Sequence, residues 1–343
     1  MVFAQGLGEL TELQHLNLDD CYIGFWDDVD TRPTHEFGLA FSKLKRLRTL
    51  SLNGNPIFET GHTVTDGTMA LIQGIGDMTE LQTLRLEATA LAKTDDVNVI
   101  GTIALSETLV KLKKLVHLDL SSNFIGHSDD VNAAGTIALG NALKSLPNLK
   151  VLNRYLNSIG FKDDENPDGT RAIGMGISHL IALTSLNLGS NRLGSSVSPQ
   201  GKLEIGRAIK KLAHLRHLDL SQNELGRHYT MGEVEIFGSL TNLHNLCSLD
   251  MHSNLIGSTG PEATTMLLTA VSRPRRKFLS FDISPIQNVR WNENAQAMSR
   301  IESQALQDQC ESRVCFGEDE SSSSKSHSAQ LSTCLREAFG PWP

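Results

Sequence analysis

Leucines recur along this chain in a fixed phrase, L-x-x-L-x-L, beginning at Leu13, Leu47, Leu81, Leu115, Leu149, Leu183, Leu215 and Leu246. The first six starts are 34 residues apart and the last two steps are 32 and 31, so the pattern is an internal repeat. Inside each phrase apolar and polar positions alternate with period two, which predicts a short strand. The remainder of the unit carries apolar residues at helical spacing. In residues 115 to 148, Leu118 and Leu120 point one way from the strand, while Val116, His117 and Asp119 are left toward solvent. Asn123 stands where a short amide can bond backbone groups that a turn leaves open, and Ile125 and Gly126 then turn the chain. Ile137, Leu139, Ala142, Leu143 and Leu146 form the helical stripe, kept slim by Ala142. One such unit cannot bury its own apolar face, so neighbours must stack. The expected architecture is an α/β solenoid, a horseshoe with parallel strands on the concave face and helices on the convex face.

A period of 34 also suits tetratricopeptide repeats, but those are helix pairs with Trp, Gly and Tyr at set places. Half of each unit here alternates as a strand does, which rejects that reading. The full phrase L-x-x-L-x-L-x-x-N-x-[IL]-G resembles the leucine-rich repeat signature, and the chain closely resembles the ribonuclease-inhibitor-like subfamily over roughly residues 5 to 290. The asparagine column reads Cys21, Asn55, Thr89, Asn123, Asn157, Asn191, Asn223 and Asn254. The resemblance implies that Cys and Thr are tolerated there, so Cys21 is expected to be a buried, reduced thiol. Arg154 stands where the fifth unit should place a core leucine, which predicts either a distorted strand or a partner for the guanidinium. A ninth, degenerate unit fits Phe278, Phe281 and Ile283, with Ile286 in place of the asparagine.

These observations divide the chain into a solenoid over 1–290, a capping segment over 291–316 and a disordered tail over 317–343, where EDESSSSKSHS is polar and low in complexity. The stretch VFAQGLGEL reads as the tail of a helix from a preceding unit. Either the chain is a fragment, or its first apolar edge is exposed or covered by a partner.

A net charge of −8 argues against binding nucleic acid through phosphate attraction. No apolar run reaches the length of a membrane span. Five cysteines without regular spacing do not make a disulfide framework, and a cytoplasmic location is expected. The run RPRRK at Arg273 to Lys277 leaves the nucleus as an alternative, although a basic start to the last unit explains it as well.

Catalytic constellations are thin. His15, His117 and His217 share a strand position but lie three units apart, too far to converge on one atom. The phrase D-x-N-x-D-G at Asp164, Asn166, Asp168 and Gly169 is the first half of a calcium loop, yet its twelfth position is Met175 and Pro167 interrupts it. No cofactor and no metal site is expected. Asp163 and Asp164 instead share a repeat phase with Asp27-Asp28, Asp95-Asp96 and Asp129-Asp130, and stacked loops would align them as an acidic rim that could steer a basic partner.

The concave face is the better binding candidate. The column between the strand leucines reads Asn17, Ser51, Arg85, Asp119, Asn153, Asn187, Asp219 and Asp250, and two residues on it reads Asp19, Asn53, Glu87, Ser121, Tyr155, Gly189, Ser221 and His252. Arg85, Glu87, His117, Asp119, Asn153, Tyr155, Asn187 and Asp219 are the nominated contacts, with Tyr155 as aromatic anchor. The function expected is a non-catalytic module that binds another protein. The alternatives are a regulator of a small GTPase, since the GTPase-activating protein for Ran has this repeat class, or the recognition part of a larger ligase or receptor.

Overall fold

The computed structural model describes residues 2–23, 32–57, 66–91, 98–126, 133–160, 166–228, 230–256, 266–267, 270 and 280–282. Within them the chain alternates helix and strand. The helices are α1 (Val2–Gly8), α2 (Arg32–Lys43), α3 (Asp66–Gly76), α4 (Asn98–Leu109), α5 (Ala134–Leu143), α6 (Asp168–Ile177), α7 (Gln200–Lys211) and α8 (Met231–Ser239). The strands are β1 (His15–Asn17), β2 (Thr49–Ser51), β3 (Thr83–Arg85), β4 (His117–Asp119), β5 (Val151–Asn153), β6 (Ser185–Asn187), β7 (His217–Asp219), β8 (Ser248–Asp250) and β9 (Ser280–Asp282). They form one nine-stranded parallel sheet in sequence order, β1 to β9. Each strand pairs with its copy one period later: Leu84 opposes Leu118, which opposes Leu152. The degenerate phrase around Phe281 supplies β9, where Phe281 opposes Leu249. The segments expected to cap the solenoid and to form its tail, 291–316 and 317–343, lie outside the described residues.

Two leucine columns face inward from the sheet. Leu50, Leu84, Leu118, Leu152, Leu186, Leu218 and Leu249 are buried, as are Leu52, Leu86, Leu120, Leu188 and Leu220 two residues later. Each such side chain contributes about 1.5–3 kcal/mol by leaving water. The helices cover them from the other side and pack closely. A Cβ on Gly140 would stand 2.4 Å from the carbonyl oxygen of Ala172, so α5 and α6 meet backbone to backbone at that glycine. Even close helices are spaced more widely than strands about 4.8 Å apart, so the stack bends with the sheet inside.

At the ends of six strands, β1, β3, β4, β6, β7 and β8, the chain reverses through left-handed backbone on both sides of the asparagine column, as at Ser122 and Phe124 (φ 56 and 59) and at Gln222 and Glu224 (φ 54 and 58). Such a turn leaves peptide groups unpaired, and the column side chain satisfies them across two units. Asn123 Nδ2 donates to Leu86 O at 2.6 Å and Ser121 O at 2.9 Å, while its Oδ1 accepts from Thr89 N at 3.0 Å and Leu91 N at 3.2 Å. Thr89, the variant member, places its hydroxyl 2.9 Å from Asn123 Oδ1. Cys21 departs from expectation. It is exposed, and its thiol reaches only Asp19 O, at 3.4 Å. The column works by reaching backward to the preceding unit, and among the described residues no strand lies outside β1. The same edge leaves Phe3 and Leu10 exposed beside the half-buried Leu13 and Leu16, around an open recess of about 510 Å³.

Candidate functional site

The concave face is built from the strand residues between the inward leucines and from the residues two positions later. One hydrogen bond recurs there. The side-chain oxygen of the first column accepts the backbone N–H two residues on: Asn17 from Asp19 at 2.8 Å, Asp119 from Ser121 at 3.0 Å, Asn153 from Tyr155 at 3.1 Å, Asn187 from Gly189 at 2.9 Å, Asp219 from Ser221 at 2.9 Å and Asp250 from His252 at 3.0 Å. Where the column holds Ser51 and Arg85, the preceding unit supplies the acceptor. Asp19 Oδ1 takes Asn53 N and Asn53 Oδ1 takes Glu87 N. The bond closes the strand end and needs one side-chain oxygen. Asn and Asp provide it equally, so this bond by itself does not require the charge of an aspartate.

The nominated residues fall into local groups. Arg85 and Glu87 are exposed on and just after β3. The Glu87 carboxyl is raised above its usual range by partial burial, then by the charges of Asp119 and Asp19. His117 is half-buried and is pushed below the usual imidazole range by burial and by Arg85, against the pull of Asp119. Asp119 is itself buried, its Oδ2 accepting Asn153 Nδ2 at 3.0 Å. The half-buried Tyr155 leans across β6, where a Cβ on Gly189 would be 2.9 Å from its Cδ2 and 3.0 Å from Asp219 Oδ1. Arg85, Glu87, His117 and Asp119 thus make one group, and Tyr155, Asn187 and Asp219 another. His15, His117 and His217 stand three strands apart in turn, so they share no site.

The acidic rim residues Asp95, Asp96, Asp129, Asp130, Asp163 and Asp164 all lie outside the described residues. Of the calcium-like phrase, Asn166 Oδ1 accepts Asp168 N at 2.9 Å and Asp168 Oδ1 pairs with Arg171 at 2.8 Å, so these oxygens secure the start of α6. Among the described residues, no group of three or more His, Cys, Asp or Glu side chains is placed to hold a metal ion. No described helix is long and apolar enough to cross a membrane.

A family model described as a leucine-rich repeat matches residues 211–226, the stretch that holds β7, Asp219 and Asn223. The register of the sheet repeats that unit strand after strand. The described residues have the fold of a leucine-rich-repeat solenoid. No curated protein matches it. Leucine-rich repeat folds typically serve as interaction scaffolds, because stacking produces a long, regular concave surface.

Two buried cations interrupt the repeats, and they differ. Arg154 occupies the leucine column, fully buried, with β5 still in register with β4 and β6. Its Nε, Nη1 and Nη2 have no hydrogen-bond partner among the described residues, and burial lowers it to about 9. The strand therefore keeps its register and the guanidinium has no partner among the described residues, against both expected outcomes. The backbone holds because a parallel strand is fixed by its peptide groups, whatever the side chain. Lys202, by contrast, donates to Glu233 Oε1 and Ser196 O, each at 2.7 Å, with both charged side chains fully buried. Glu233 Oε2 in turn accepts Thr230 N and its hydroxyl in a capping box at the start of α8. The repeat itself carried the signal for this pair. Thr34, Thr68, Thr102, Thr136 and Thr170 recur at intervals of 34, and Lys202 and Glu233 are the next two members of that column.

Proposed function

We propose that this protein is a non-catalytic interaction module of the ribonuclease-inhibitor-like kind, binding a protein partner through its concave face. The observation that carries the reading is the surplus charge of the strand-end column. One oxygen of the half-buried Asp219 holds the turn, while its second has no partner among the described residues. A fold that needs only the amide oxygen has no use for that charge, whereas a partner surface does. The negative surroundings of Glu87 extend the same field along the face, which suits a basic partner, and an acidic rim over Asp95 to Asp164 would continue it. Free thiols at Cys21 and Cys247 suit a reducing compartment, the cytoplasm. The GTPase-regulator reading gains nothing from Arg154, which is too deeply buried to reach another protein.

Ser185 lies half-buried on the concave side of β6, and Lys210 lies exposed on helix α7 of the convex side. Affinity capture with the full chain tests the reading. A partner held by the parent and by Lys210→Ser should be lost with Ser185→Trp, which obstructs the hollow. Retention by Ser185→Trp contradicts a concave binding face.

A further inference from the structure

The second group on the concave face has the shape of a seat. Tyr155 is fixed at its backbone, with its N–H on Asn153 Oδ1 at 3.1 Å and its carbonyl accepting Ser122 N at 2.8 Å. From there its ring lies in the space a side chain at position 189 would occupy. Gly189 is the one residue of that column with no side chain, and its φ is not left-handed, so the position demands room and not backbone freedom. The ring edge, the Asp219 carboxylate and the Ser221 hydroxyl, the last 2.9 Å from the same point, converge over this glycine. Asp219 Oδ1 is occupied by Ser221, through its N–H at 2.9 Å and its hydroxyl at 2.6 Å, and Oδ2 remains available. Asn187, on the strand between, uses its oxygen on Gly189 N at 2.9 Å.

We propose that Tyr155, Gly189 and Asp219 form a seat for a single arginine side chain of the protein partner, the guanidinium lying on the tyrosine ring and donating to Asp219. The inference rests on the concave face being the binding surface. An aromatic face attracts a cation laid over it within about 6 Å of the ring centre. A planar guanidinium can stack there while its N–H groups reach a carboxylate beside the ring, which a compact ammonium does less well. Glycine at 189 makes the pocket: any Cβ would meet the ring at 2.9 Å and push it off the floor. The negative field felt by Glu87 favours approach of a positive segment along the same face.

The probe is an acetylated and amidated peptide of alternating serine and arginine, titrated into the full chain and compared with the same peptide carrying neutral citrulline. The chain has three tyrosines, so labelled ring signals report Tyr155 directly. The arginine peptide should shift the Tyr155 ring signals and bind at least tenfold more tightly than the citrulline peptide. Asp219→Asn and Gly189→Ala should each weaken it at least fivefold, with the Asp219→Asn melting temperature unchanged. Parent protein that ignores the arginine peptide at millimolar concentration overturns the seat, as do Asp219→Asn and Gly189→Ala binding like the parent. If those two bind normally while Ser185→Trp does not, the seat is wrong and the concave reading stands. If Ser185→Trp also binds normally, both fall.

Discussion

In the seventh unit Asn223 and Asp219 stand four residues apart and divide their hydrogen bonds differently. Asn223 is fully buried and works between units: its Nδ2 donates to Leu188 O at 2.8 Å, and its Oδ1 accepts Asn191 N at 2.9 Å. Asp219 is half-buried and works within its own unit, through one oxygen, on Ser221. The asparagine column therefore ties each unit to the one before it. Asp219 closes a local turn that Asn closes elsewhere in the strand column, as at Asn187, so its charge is open to selection for another purpose.

The comparison breaks first if the buried column is not holding the stack. Asn223→Ala strands peptide groups of two units, and urea unfolding should show a loss of at least about 3 kcal/mol. Arg154 sharpens the point in the opposite direction, since it sits among the same turns with a charge that no described residue answers. Arg154→Leu should stabilise the protein by about 3 kcal/mol at neutral pH. The sign follows from the titration. The folded guanidinium, lowered to about 9, releases its proton before the unfolded one does, so the parent regains stability as pH rises above that value. The advantage of the leucine variant should accordingly shrink at alkaline pH.

Asn191 offers a graded test inside the column. It keeps donor bonds to Arg154 O, Leu188 O and Gly189 O, but its Oδ1 has no partner among the described residues, whereas Asn223 Oδ1 accepts both Asn191 N and Leu193 N. Asn191→Ala should cost about 2 kcal/mol, measurably less than the same change at Asn223. Smallest is the effect of Glu87→Gln. A carboxyl raised in the folded state binds its proton more tightly there than when unfolded. Stability therefore falls as pH rises through that raised value, and the glutamine variant should gain on the parent as pH rises through and just above the ordinary glutamate range. A constant difference over that range would remove the negative field from the account.

The leucine columns and the strand register were legible in the sequence because one period fixes both. Every strand from β1 to β8 begins two residues after its phrase, as at Leu47 and Thr49 or Leu215 and His217. Cys21 was misread because membership of a column was taken for burial, and burial there requires a preceding unit. The concave aspartates were identified, but their inward oxygen was not, since a bond from side chain to the N–H two residues on is a matter of turn geometry. Two features were in reach and overlooked. Gly189 is the next member of the Tyr155 column, and Lys202 and Glu233 replace threonines at a fixed phase. Only Arg154 gave no sequence indication of its outcome, because whether a guanidinium finds a partner depends on which groups surround it in space.

The central claim, that Asp219 holds its turn by one oxygen and carries charge the fold does not need, is tested most directly at that residue. Urea unfolding of Asp219→Asn should fall within about 0.5 kcal/mol of the parent, because the amide oxygen still accepts Ser221 N, whereas Asp219→Ala should lose about 1–2 kcal/mol with that acceptor gone. An asparagine variant as unstable as the alanine variant would show that the charge itself holds the turn, and would contradict the account.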